Sequence, residues 1–151
     1  MSLSDALNDK LNLPGVRSGP VRVDGAEGAV EVDLRDTDRL GAQIDRLRVR
    51  VPSGAAPLRE QAESICRRVR HLPERMVPVE VDERLGGGVL RSEPREMRGR
   101  RYFEIGLDGD SATVERYQAS EGGGREREPF TLTREQLGRL VDDLAEGLTT
   151  E

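Results

Sequence analysis

The sequence predicts a single α+β domain, an antiparallel β-sheet with three helices in the order α-βββ-α-βββββ-α. Three observations lead there. Apolar residues recur at helical spacing in three segments, they alternate in the stretches between, and 151 residues suit one core. The domain spans 1–151, with a helix over 2–12, strands within 20–51, a helix over 57–72, strands within 76–132 and a helix over 134–148.

In the first segment Leu3, Leu7 and Leu11 fall four residues apart on one helix face, with Ser4-Asp5 as a weak cap and Pro14-Gly15 as the stop. Alternation then takes over. Val21 and Val23, then Val30, Val32 and Leu34, then Leu40, Ala42 and Ile44 mark three antiparallel strands with one buried face, joined by turns at 24–28 and 36–38. The next apolar set, Leu47, Val49 and Val51, is out of phase by one residue. A β-bulge at Asp45-Arg46 keeps both sets inward.

Pro57 suits a first helical turn, and Leu58, Ala62, Ile65, Val69 and Leu72 form the apolar stripe of a second helix that Pro73 ends. Five strands are expected after it. Val77, Val79 and Val81 alternate in 76–82, Gly86-Gly87-Gly88 reverses the chain into 89–92, and Phe103, Ile105 and Leu107 alternate in 100–107. Asp108-Gly109 is a hairpin signal leading into 111–117. Centring the turn there sets Phe103 opposite Val114, Ile105 opposite Ala112, Tyr102 opposite Glu115 and Glu104 opposite Thr113. The segment 121–128, with its Gly triplet, reads as a flexible loop into a short strand ending at 130–132. Thr133 and Gln136 then form a capping box, stapled by Leu132 and Leu137, for a closing helix through Leu148.

Composition narrows function by exclusion. The hydrophobic share is 34% and the charged share 35%, with two Phe, two Tyr and no Trp, so the core must rest on Leu, Val and Ile. A net charge of -5 argues against a whole-surface attraction to phosphate backbones. Lys10 is the only lysine among the basic residues, a bias that a GC-rich genome produces. The single cysteine, Cys66, excludes an intrachain disulfide framework. Without an apolar leader or a membrane-length apolar run, the expectation is a cytoplasmic protein with no membrane partner.

No catalytic constellation is expected. His71 is the only histidine, placed at a helix end where a dipole contact accounts for it. Cys66, five residues earlier, points about 140° away around the helix and reads as a small buried hydrophobe. One Cys and one His do not make a zinc site. Asp33, Asp36 and Asp38, and the pair Asp108 and Asp110, read as turn chemistry rather than metal ligands, and the Gly triplets lack the ending of a phosphate loop. No metal and no cofactor are expected.

Arginine clusters are the distinctive feature. Arg46, Arg48 and Arg50 alternate with Leu47, Val49 and Val51 and form a ladder on the outer face of a strand, where Glu31 and Asp33 are cross-strand partners and a surface for an anion or an acidic partner is the sharper reading. Arg95, Arg98, Arg100 and Arg101 cluster around Gly99, and Arg67, Arg68 and Arg70 line the polar side of the second helix near Glu60 and Glu63. Both groups read as solvated charge. Arg46, Arg48, Arg50, Arg101, Tyr102 and Tyr117 are the candidate partner-binding residues.

The element order of helix, three strands, middle helix, further strands and closing helix resembles that of type III secretion chaperones and related chaperone-like domains. That resemblance implies a homodimer supported by the sheet and middle helix, and grooves that bind an extended client segment. The stretch RRYFEIGL, ATVERY and PFTLTREQLGRLVDDL resembles the meander-then-helix order of Pur and coactivator-type single-strand binders, which implies stacking by Tyr102 and Tyr117 and phosphate contacts by Arg101 and Arg116. The leading expectation is a non-enzymatic protein-interaction or chaperone-like adaptor domain. A single-stranded nucleic-acid-binding module is the alternative, and a carboxylate-based enzyme the second.

Overall fold

The computed structural model describes residues 2–70, 72, 74–93 and 101–149. They form α1 (Leu3–Leu11), β1 (Gly19–Gly25), β2 (Gly28–Thr37), β3 (Gly41–Arg50), α2 (Leu58–Arg68), β4 (Met76–Asp82), β5 (Gly87–Ser92), β6 (Arg101–Leu107), β7 (Ser111–Ala119), β8 (Arg125–Glu128), β9 (Phe130–Thr133) and α3 (Arg134–Leu148). The α+β class, the antiparallel pairing and the three helices are those the sequence predicts. The second run of strands gains one member, because 125–128, expected within a loop, pairs with β7 as β8.

The strands join in the order β1-β2-β3-β7-β6-β5-β4. β3 is shared lengthwise. Its second half, Leu47 to Arg50, pairs with β7, and its first half, Gly41 to Ile44, pairs with β9. β7 is shared too, since Arg116 to Ala119 pairs with β8. The sheet therefore forks where β3 and β7 part, and the β8–β9 segment lines both sides of the fork, with Pro129 between them.

All three helices lie on one face. Val30, Val32, Leu47, Val49, Ile105, Ala112 and Val114 are at most fractionally exposed and meet Leu7 of α1, Ile65 of α2 and Leu140, Val141 and Leu144 of α3 in one core. Burying each such Val, Leu or Ile side chain contributes roughly 1.5–3 kcal/mol, which lets a core with few aromatics suffice. Among the described residues, no helix lies on the opposite sheet face.

Local chemistry follows the sequence with corrections. The N-cap of α1 is Ser2, which forms a capping box with Asp5, while Ser4 donates to Asp142 Oδ2 at 2.8 Å and ties α1 to α3. Thr133 and Gln136 form the predicted box on α3. α2 ends at Arg68, short of the expected reach to 72, because Val69 is already extended; Val69 and Leu72 are still buried. Leu40, expected in a buried alternation, is 81% exposed at the β2–β3 turn. On β4 the buried residue is Met76, and Val79 sits exposed at a register irregularity that breaks the predicted valine alternation.

The predicted bulge is present and doubled. Asp45 is the extra residue on β3 and Arg35 the extra one on β2, so the two slips cancel. Their side chains pair across the strands at 2.9 Å. The β6–β7 register is displaced from the one expected. Ile105 faces Val114, Leu107 faces Ala112, Phe103 faces Arg116, Tyr102 faces Tyr117 and Glu104 faces Glu115. Gly109, with φ of 78°, occupies the first of the two central turn positions, with Asp108 N–H donating to the Ser111 carbonyl at 3.0 Å. The turn is centred one residue later than the Asp-Gly pair suggests.

One buried polar group joins distant segments. Gln61 on α2 is fully buried, and its Nε2 lies within hydrogen-bond distance of the carbonyls of Ala56 (3.0 Å), Gly109 (2.6 Å) and Leu148 (3.4 Å).

Candidate functional site

The helix-free sheet face is where the chemically distinctive residues meet. Cross-strand partners share a face, so Arg46, Arg48, Thr113, Glu115, Tyr117, Tyr102, Glu104 and Arg91 all project to it. Tyr102 and Tyr117 stack with ring centroids 5.9 Å apart and planes 30° apart. The guanidinium carbon of Arg125, on β8, lies 3.8 Å from the Tyr117 centroid, and that of Arg91, on β5, lies 4.7 Å from the Tyr102 centroid. The four side chains make one Arg-Tyr-Tyr-Arg array, held by cation–π attraction at both ends.

Register explains the charges around it. Glu104 and Glu115 stand directly opposite, a like-charge pairing that a sheet tolerates only when neutralised. Arg125 bonds Glu104 at 2.8 Å, Arg91 reaches the same oxygen at 3.4 Å, and Arg127 bonds Glu115 at 2.8 Å. The bonds to Glu104 and Tyr102 hold the Arg125 pKa above its ordinary value, as the bond to Glu115 does for Arg127. Burial, followed by the neighbouring Glu115 carboxylate, raises the Tyr117 phenol, so the ring remains neutral at physiological pH.

A shallow groove of about 490 Å³ runs beside this array. Val79 and Glu80 of β4, Val89 and Arg91 of β5, Tyr102 and Glu104 of β6 and the Gly123-Gly124 turn are among the residues that line it. Val79 is 54% exposed, an apolar side chain open to solvent in the same groove lining as Tyr102.

The sequence-derived candidates divide. Tyr102 and Tyr117 come together as the heart of the array. Arg46, Arg48 and Arg50 share the face but lie on β3, away from the groove, and the cross-strand reading accounts for part of them. Arg46 pairs with Asp33 at 3.2 Å, whereas Glu31 is taken by Arg22. Arg48 reaches Ser111 Oγ at 3.4 Å, and Arg50 approaches Asp110 at 3.8 Å. Arg101 faces the helix side, where it pairs with Glu128 at 3.4 Å. Arg116, named with it for phosphate contact, is also on that side, bonded to Glu128 at 3.0 Å and lying 4.4 Å over the Phe103 ring. Arg95, Arg98, Arg100 and His71 lie outside the described residues.

Arg91, Arg125, Arg127 and Val79 escaped sequence reasoning. The only signal for β8 was the alternation of Arg125 and Arg127 with Glu126 and Glu128, a period of two that carries no apolar mark.

Elsewhere, a depression of about 640 Å³ between α2 and β4 includes Cys66, Arg67, Arg70, Glu74 and Arg75 in its lining. Desolvation pushes the Cys66 thiol up to about 11, against a smaller opposing pull from Arg75, so it is protonated at neutral pH. Among the described residues, no three His, Cys, Asp or Glu side chains converge to hold a metal, and no helix is long and apolar enough to cross a membrane. No family model, curated protein or solved structure matches the chain.

Proposed function

We propose that the domain is a protein-interaction module of the adaptor or chaperone-like kind, which receives an extended segment of a partner protein in the outer-face groove. The observation that carries this reading is the Arg91-Tyr102-Tyr117-Arg125 array beside the exposed Val79. Tyr and Arg are the residue types enriched where protein interfaces concentrate their energy. Here their positions are fixed by mutual stacking and by Glu104, so little side-chain freedom remains to be lost on binding. The reading needs no catalytic group.

The same array favours a protein over single-stranded nucleic acid. Base stacking needs a free ring face, but Tyr102 and Tyr117 cover one another and are capped by arginines. Phosphate binding needs unneutralised cations, but Arg91 and Arg125 are both bonded to Glu104.

The test is co-purification from the native cell with the wild type, Val79→Asp, Tyr102→Ser and the control Arg46→Ala, partners being identified by mass. The expected result is a partner held by the wild type and Arg46→Ala and lost from both groove variants, with thermal melts confirming that all are folded. A partner retained by every variant rejects the groove. Tight, steeply salt-dependent binding of single-stranded DNA or RNA in a gel shift establishes the nucleic-acid alternative instead.

A further inference from the structure

The sheet ends in two terminal strands, β1 and β4. β4 carries devices that keep an edge from pairing, namely Pro78 and a register irregularity between Pro78 and Glu80. β1 also has a proline, Pro20 near its start, and exposed charges at Arg22 and Asp24, but no register irregularity. It pairs with β2 from Gly19 to Gly25 without a shift. Gly25 and Gly28 close the hairpin over Ala26 and Glu27, so residues 19, 21, 23 and 25 spend their backbone groups on β2, while Pro20, Arg22 and Asp24 direct theirs to the free edge. On the outer face Arg22 and Asp24 are exposed and paired with each other at 3.0 Å.

We infer that β1 is a self-pairing edge and that its partner is a second copy of this chain, joined antiparallel about a two-fold axis through Val23. Charge and proline together fix that register. With Val23 opposite Val23 of the second copy, each Arg22 faces Asp24 of the other, and both occupy positions whose N–H and C=O groups point across the gap. Val21 then faces Gly25. Pro20, which has no N–H to give, falls opposite Ala26 in the turn, beyond the ladder. Centring the axis on Arg22 sets arginine against arginine and brings Pro20 into the ladder. Centring it on Asp24 sets aspartate against aspartate. Only the Val23 axis matches opposite charges on both sides.

Such an interface uses the same patch on both copies and closes as a dimer. An axis normal to the sheet turns both outer faces the same way. The groove on β4 and β5 lies at the far end of the strand order, so pairing through β1 leaves it open in each copy. The dimer does not depend on what the groove binds.

Cysteine cross-linking in a Cys66→Ser background reads the register. Val23→Cys places two thiols on the axis at a close-approaching pair and is expected to give a disulfide-linked dimer under mild oxidation, whereas Val21→Cys gives none. Light scattering is expected to report twice the chain mass for the wild type and one chain mass for Arg22→Glu. Combining Arg22→Glu with Asp24→Arg restores the doubled mass. Circular dichroism confirms that each variant is folded. A wild type that stays at one chain mass at high concentration overturns the inference, and so does a dimer in which Val23→Cys fails to cross-link or Arg22→Glu changes nothing.

Discussion

Tyr102 and Tyr117 face each other across β6 and β7, their rings stacked 5.9 Å apart on the sheet face opposite the three helices. The pair is a consequence of where the β6–β7 turn is centred. Had the turn centred on Asp108 and Gly109, Tyr102 would meet Glu115 and the array would not exist.

That contact is measurable as a coupling energy. In a double-mutant cycle with Tyr102→Ala and Tyr117→Ala, followed by urea unfolding, the two rings are expected to couple by about 0.5–1.5 kcal/mol. A coupling near zero contradicts the stacked register, whatever each single substitution costs.

The two glycines of α3 are expected to respond in opposite senses. A Cβ on Gly147 would lie 2.5 Å from Ile65 Cγ1, a β-branched side chain locked in the α2–α3 contact. Gly147→Ala therefore loses roughly 1–3 kcal/mol through overpacking. A Cβ on Gly138 meets only Ser4 Cβ at 3.6 Å. Gly138→Ala gains about 0.4–1 kcal/mol through helix propensity and a less free unfolded chain. Thermal or denaturant unfolding of both variants checks the signs.

Strand β8 contains no apolar residue and is held on the outer face by Arg125 to Glu104 and Arg127 to Glu115, and on the helix face by Glu128 to Arg116. Raising salt from about 0.1 M to about 1 M shortens the screening length from about 10 Å to about 3 Å. Hydrogen exchange in 125–128 is expected to quicken over that range more than exchange in β2 or β3. Glu104→Gln quickens it already at low salt.

Cys66 supplies the pH prediction. Its folded pKa lies near 11, above the ordinary value of 9.0, because burial disfavours the thiolate. The protonated thiol thus favours the folded state below the unfolded pKa, and that contribution is lost as pH rises through the folded value. Alkylation by iodoacetamide in the native protein should be slower than in a peptide thiol at pH 8 and should climb steeply only toward pH 11. A native rate equal to the peptide rate refutes the burial.

Much of this fold is readable from residue spacing. The helical stripes of Leu3, Leu7 and Leu11 and of Leu137, Leu140, Val141 and Leu144 mark buried faces, and the phase slip at Asp45 marks a real bulge. What resists reading has a physical reason in each case. Arg35 and Asp45 compensate one another's slips, a relation visible only when both strands are paired. β8 is stabilised by side chains from β6 and β7, so its own composition, Arg and Glu alone, resembles a solvated loop. The tyrosines were legible as candidates, but their partners were not, since Arg91 and Arg125 come from strands on either side of them in space.

Gln61 has a consequence for how the chain matures. Its amide lies against carbonyls 48 and 87 residues away in sequence, in the β6–β7 turn and at the end of α3. A nascent or truncated form lacking the last helix keeps two acceptors for that amide but strips the buried Ala56 N–H, just ahead of α2, of the Leu148 carbonyl that accepts from it at 2.8 Å, at about 1–3 kcal/mol for a group left without its partner, or leaves α2 undocked. The middle helix therefore settles only after both flanking parts have arrived, and the domain behaves as one switch rather than two halves added in turn.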